Sequence, residues 1–328
     1  MNYNLLVNTM SIQTESYNSV FMERYIKKHL KKNNIDFECD QYGNIYATKG
    51  KASLYPTMVC HVDTVHDINM NSVVKRHKDI LYSIDSKTFQ RTGIGGDDKV
   101  GVFITLSCLE YFDNFKAVFF KDEEVGCVGS SHADFSFFDD STIVLQCDRK
   151  GMGDFVSEIY GIDLCDEQLL SRIEDVLDEY NRKPVSGGLT DVKQIALNNN
   201  VQVANVNCGY YSPHTDDEYI SISDVHDTLN FCIEVFISTM FNRITMERKP
   251  YEPIMYTSSH VNSYYYGYED EWYSNTNTPK SVCNKCKSID TDYDPYMNQT
   301  YCYTCDEYED IQIEETNSQS ITTIIGTK

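Results

Sequence analysis

The stretch Gly95-Gly96-Asp97-Asp98-Lys99-Val100-Gly101 constrains this chain more than any other. It sets two adjacent carboxylates in a glycine-rich turn, just ahead of an apolar run (Val100, Phe103, Ile104, Leu106, Leu109) that predicts a helix. A carboxylate on such a turn can offer one oxygen to each of two cations. Two metals about 3.5–4 Å apart can activate water and stabilise the charge that builds on an attacked carbonyl. Asp97 suits that bridging position. Alone, the stretch reads more readily as the acidic start of a solvated helix, so the other candidate ligands decide.

They come in a regular order. Pro56 to Cys60 is a short apolar run of the buried-strand type that delivers His61-Val62-Asp63 at its end. Ala117 to Phe120 is a second such strand and ends in Lys121-Asp122-Glu123-Glu124. Thr142 to Cys147 is a third, ending at Asp148, and Val201 to Val206 is a fourth, with His214 in the loop after it. Helices are expected over Ser11–Lys32, after Asp97, over Glu167–Tyr180, over Asp191–Asn198 and over Val225–Phe241; Phe37–Ala47 reads as a hairpin turning at Gly43. Strands alternating with helices, each strand ending in a polar cluster, predict an α/β three-layer sandwich with a mostly parallel sheet. In such sheets sites form at the strand ends.

Zinc accepts imidazole nitrogen and carboxylate oxygen, and a catalytic site keeps one position open. His61, Asp97 and Asp148 make one three-ligand set; Asp97, Glu124 and His214 make a second. Glu123 is left over beside a ligand, the place for a general base. Asp63 can accept the other ring N–H of His61 and fix its tautomer. Zinc lowers the pKa of bound water to about 7, so hydroxide would be available at neutral pH. Each residue has an ordinary role open to it, as a surface histidine, a solvated glutamate pair or an ion pair. Their joint occurrence at strand ends favours the metal reading.

At this point the chain resembles the di-zinc exopeptidase superfamily, and most of all its peptidase T (tripeptidase) branch. The matching residues are Cys60-His61-Val62-Asp63-Thr64, Gly96-Asp97-Asp98-Lys99-Val100-Gly101, Asp122-Glu123-Glu124-Val125-Gly126, Asp148, Gly187-Gly188-Leu189-Thr190-Asp191, and His214 before Glu218-Tyr219-Ile220-Ser221; Asp40 to Ala47 is similar too. The resemblance spans about residues 5 to 242. It implies two catalytic Zn2+ (or Co2+ or Mn2+) on His61, Asp97, Glu124, Asp148 and His214, with Glu123 as base and Asp63 behind His61. It implies cleavage of a short peptide, as an aminopeptidase; an N-acyl amino acid deacylase is the alternative. Members of that branch carry a large lid and dimerisation domain where this chain has only about forty residues between Asp148 and Gly187, enough for a hairpin or a helix. Arg149, Tyr210 and Tyr211 are candidates to replace the lid's substrate contacts, and the catalytic domain is expected to be monomeric.

Beyond Lys249 the composition turns to Tyr, Ser, Asn and Pro. Cys283-x2-Cys286, fifteen residues, then Cys302-x2-Cys305 is a zinc-ribbon pattern for one structural Zn2+. The expected organisation is a catalytic domain over 1–248, a linker over 249–279, the ribbon over 280–308 and a flexible tail over 309–328. The ribbon's acidic flanks suit a protein partner; a non-catalytic interaction protein using the ribbon is the alternative from another class. A formal net charge of -22 argues against nucleic acid and anionic membranes. No stretch has the length of a membrane helix, so the expected compartment is the cytoplasm, a host's if the gene is viral.

Overall fold

A computed structural model describes residues 1–247 and the strands at 291–294, 299–302 and 307–310. The chain falls into two compact units, Met1–Pro253 and Ile254–Lys328. The first unit opens with helices α1 (Tyr3–Ser11) and α2 (Val20–Lys32), then strands β1 (Asp36–Cys39), β2 (Ile45–Lys49) and β3 (Tyr55–His61). Next come β4 (Ser72–His77), β5 (Ile80–Asp85), β6 (Arg91–Thr92), α3 (Gly96–Tyr111), β7 (Phe115–Phe120) and the short α4 (Val128–Ser131). After a 3-10 turn at Phe135–Phe138 follow β8 (Ser141–Gln146), β9 (Asp154–Ile159), β10 (Ile162–Asp163), α5 (Glu167–Arg172) and α6 (Glu174–Glu179). The unit ends with β11 (Lys183–Gly187), α7 (Asp191–Asn198), β12 (Val203–Val206), β13 (Tyr210–Tyr211), β14 (Tyr219–Ser221) and α8 (Ile222–Thr239).

The main sheet has the order β1-β2-β7-β3-β8-β12-β9-β10, with β11 also on β9. Its central strands β7, β3, β8 and β12 run parallel, and the flanking pairs β1/β2, β2/β7, β12/β9 and β9/β10 are antiparallel. The central strands are buried on both faces, which is why they read as unbroken apolar runs. Side chains alternate across the sheet. Met58, Cys60, Ala117, Phe119 and Leu145 join one core with Phe103 and Leu106 of α3 and Phe231 and Val235 of α8. Val59, Val118, Phe120 and Val144 join the other with Val192 and Ile195 of α7. These are the three layers. Helix α3 is apolar on nearly every side, as a helix wedged between layers must be.

Several boundaries differ from the sequence reading. The helix expected from Ser11 begins only at Val20, because Ile12–Ser19 is irregular, with a turn closed by an isolated bridge between Glu15 and Asn18. There the hydroxyls are spent on distant partners: Thr14 Oγ1 donates to Val62 O at 2.6 Å. The helix expected over Glu167–Tyr180 is two short ones, broken at Ile173. The segment between Asp148 and Gly187 holds more than a hairpin or a helix: β9, β10, α5, α6 and β11. A second, antiparallel sheet, β13-β14-β5-β4 with β6 on β5, is built partly from residues 72–92, for which the sequence suggests no element.

The second unit shows an antiparallel sheet of β15 (Thr291–Asp294), β16 (Gln299–Cys302) and β17 (Glu307–Asp310). Cys283, Cys286 and Cys305 lie outside the described residues, as do the expected linker and most of the tail, and the side chain of Cys302 is not described. Among the described residues no helix is long and apolar enough to cross a membrane.

Candidate metal centre

Because β7, β3 and β8 are parallel neighbours, their C-terminal ends lie side by side. That brings His61, the pair Glu123-Glu124 and Asp148 to one edge of the sheet. Asp97 arrives from the turn that opens α3, and His214 from the loop between β13 and β14.

The five expected ligands, the expected base and Asp63 all converge. His61 Nε2 lies 3.4 Å from Asp97 Oδ1, 3.7 Å from Asp148 Oδ1 and 4.0 Å from Glu123 Oε2. His214 Nε2 lies 3.3 Å from Asp97 Oδ2 and 3.2 Å from Glu124 Oε2. The Asp97 carboxylate therefore stands between two imidazoles, one oxygen towards each. Groups of ligand atoms from His61, Glu123 and Asp148, and from His61, Asp97 and Glu124, lie within 4.8 Å of one another.

The distances discriminate between two uses of these groups. Charge-assisted hydrogen bonds close to about 2.7–2.9 Å. Ligands at about 2.0–2.1 Å from one tetrahedral zinc stand roughly 3.3 Å apart. The four shortest separations run from 3.2 to 3.7 Å and match the second case. In addition, among the described residues His61 Nε2 and Glu124 Oε1 are buried with no hydrogen-bond partner, an arrangement that buried polar atoms rarely keep. The donor set thus fits metal binding.

Electrostatics point the same way. Burial pulls the His61 pKa down, but Asp148, Asp63 and Asp97 outweigh it and hold it well above the ordinary imidazole value. Asp97 and Glu124 raise His214 to about 10. Burial, reinforced by Asp97, lifts Asp148 to about 7, and burial lifts Glu123 well above the usual carboxylate range. So many carboxylates around two imidazoles lack positive charge, which bound cations would provide.

Around this ring sits a layer that fixes its geometry. His61 Nδ1 donates to Asp63 O at 3.1 Å, with Asp63 Oδ1 at 3.4 Å, which leaves Nε2 to face the ring. Asp63 in turn accepts from Ser16 Oγ at 2.7 Å and from the Glu123 backbone N–H at 3.0 Å. Asp148 accepts from Thr190 Oγ1 at 2.7 Å and Tyr210 Oη at 3.3 Å. Asp98 is fully buried and ties β3 to α3 through the N–H groups of His61 and Gly101.

The proposed substitutes for the lid fare unevenly. Tyr210 reaches the ring, where its hydroxyl holds Asp148. Tyr211 does not: its hydroxyl donates to Asp224 at 2.6 Å and its ring stacks on Tyr219. Arg149 is held by Asp154 at 2.8 Å. Sequence reasoning gave no role to Glu218, which is wholly buried beside the Asp97 turn. The resemblance counts it among the matching residues after His214, but the acidic run Asp216-Asp217-Glu218 by itself does not separate a buried carboxylate from a solvated one.

No protein-family model and no curated protein matches the sequence. Solved structures do match. The likeness is one of fold: a tripeptidase from Staphylococcus aureus superposes with a TM-score of 0.60 at 12% identity, over 72% of this chain and 97% of that one. The aminopeptidase PepT from Bacillus cereus gives 0.59 at 12% identity, over 72% and 97%. An aminopeptidase from the archaeon Desulfurococcus kamchatkensis gives 0.53 at 15% identity, over 72% and 94%. At these identities the likeness establishes the fold.

Proposed function

We propose that this chain is a di-zinc exopeptidase that hydrolyses an amide bond at the end of a short peptide, as an aminopeptidase. The observation that carries the reading is the Asp97 carboxylate set between His61 and His214, with Glu123 at the rim. His61, Asp97 and Asp148 would hold one cation, and Asp97, Glu124 and His214 the other. When bound, the zinc pair supplies Lewis acidity, drawing charge from the attacking water and from the amide carbonyl. The residues do the rest. Asp63 holds the His61 ring so that Nε2 faces inward. Tyr210 and Thr190 fix the Asp148 carboxylate through one hydrogen bond to each oxygen. The Glu123 carboxylate accepts the proton of the attacking water and returns it to the amine nitrogen as the C–N bond breaks. Its backbone N–H is anchored on Asp63, which keeps base and ligand in register. On their spacing alone, Cys283, Cys286, Cys302 and Cys305 are assigned one structural zinc.

The test is direct. Full-length protein loaded with zinc or cobalt is expected to release amino acids from di- and tripeptides. Glu123→Gln should lower release by about 10²–10⁴-fold while keeping the wild-type metal content. Loaded protein that leaves short peptides untouched but cleaves acylated amino acids would make it a deacylase. Inertness on both would refute the hydrolase reading.

A further inference from the structure

His61 is fixed by its strand, but His214 sits in a loop, half exposed and with a left-handed backbone (φ +62°). Something else must keep it opposite Asp97. The same loop carries Glu218, whose side chain has no exposed surface. Glu218 Oε1 accepts the Asp97 backbone N–H at 3.0 Å. Its Oε2 accepts the Gly95 N–H at 2.7 Å and His66 Nε2–H at 2.8 Å. Arg91 Nη2 then donates to the carbonyls of Asp217 and Glu218 at 3.1 and 3.0 Å, fastening the end of the loop to β6. One buried carboxylate thus joins the turn that bears Asp97 to the loop that bears His214.

The glycines of the turn follow from this. A Cβ at Gly93 would lie 2.0 Å from the His66 ring, and Gly95 is left-handed at φ +67°. The backbone there is shaped to point two N–H groups at Glu218.

We propose that Glu218 is a positioning residue that holds the His214 loop in register with Asp97, so that zinc binding at the Asp97–Glu124–His214 position depends on it while the His61–Asp97–Asp148 position does not. His66 and Arg91 orient Glu218. The inference rests on the di-zinc reading above. Its chemistry is specific: Glu218→Gln keeps the shape but replaces one acceptor oxygen with an NH2 group. His66 can change tautomer to accommodate that group, but a backbone N–H cannot, so either Gly95 or Asp97 loses its acceptor.

The experiment titrates zinc into metal-free, full-length wild type, Glu218→Gln and His214→Ala against a chelator that sets free zinc. Partners behind metal ligands typically alter affinity 10–100-fold. The Gln variant should weaken one zinc by about that factor and leave the others at wild-type affinity, as His214→Ala does by removing a ligand. The double variant should lose little beyond His214→Ala alone. If Glu218→Gln does not fold, His66→Leu should weaken the same zinc several-fold, and His66→Gln, which keeps a donor, should recover part of it. Wild-type affinity at every position in these variants overturns the proposal, as does uniform weakening of both catalytic zincs. A wild type that takes up no zinc pair overturns the hydrolase reading and this one with it. A wild type that binds the pair beside an unaffected Glu218→Gln overturns this one alone.

Discussion

The two histidines of the centre reach it by opposite routes. His61 ends a central strand; its side chain has no exposed surface, and backbone and ring are held by Asp98 and Asp63. His214 rides an exposed loop, its side chain 51% accessible, and its ring nitrogen faces the carboxylates of Asp97 and Glu124. One is placed by the fold itself and the other by a device added to it. The strand-end half should therefore exist without metal, whereas on the di-zinc reading the loop half would be completed by metal and by the contacts that brace the loop.

The hardest test of that contrast is Asp97→Ala, which touches both halves. Elemental analysis should find about one zinc left of about three, with peptide release lost altogether. Glu123→Gln should come next, lowering kcat by about 10²–10⁴-fold with the zinc content unchanged. The histidines themselves separate the halves. His61→Ala strands buried carboxylates and should cost the metal-free fold about 3–5 kcal/mol in denaturant titrations. His214→Ala, which removes a half-exposed ring paired with Asp97 and Glu124, should cost the metal-free fold less than His61→Ala does in the same assay while losing one zinc. On chelation, amides of the loop at 212–218 should gain hydrogen exchange while those of β3 stay protected. The smallest effect is expected for Ser16→Ala, which removes one hydrogen bond to Asp63: about 1 kcal/mol and a few-fold in turnover. If His61→Ala and His214→Ala prove equally harmless to the metal-free fold, the contrast fails.

What could be read from the sequence divides along the same line. The strands that carry His61, Glu123-Glu124 and Asp148 are buried on both faces, so they stand out as apolar runs with polar ends. Residues 72–92 form a half-exposed antiparallel sheet with mixed polarity, and no run marks it. Ile12–Ser19 has neither helical nor strand periodicity; its shape comes from bonds to residues far along the chain, such as Ser16 to Asp63 and the Tyr17 N–H to Asp122. Tyr211 borders a ligand-bearing segment in sequence, yet strand alternation turns it away from Tyr210's side and towards Asp224. Chemistry carried by strand ends is legible from residue types alone, whereas the support behind it depends on long-range contacts.

The crossing between α1 and α2 has a practical consequence. Thr14 grips the Val62 carbonyl, Ser16 grips Asp63, and the buried Lys99 amine holds the carbonyls of Met10 and Ile12 at 3.0 and 3.1 Å. The opening residues thus behave as a strap drawn behind the business end of the molecule. A proteolytic nick within Ile12–Ser19, or a fusion that replaces it, would slacken the residues that aim His61 while the central sheet stayed whole: an inert protein with an unremarkable circular dichroism spectrum.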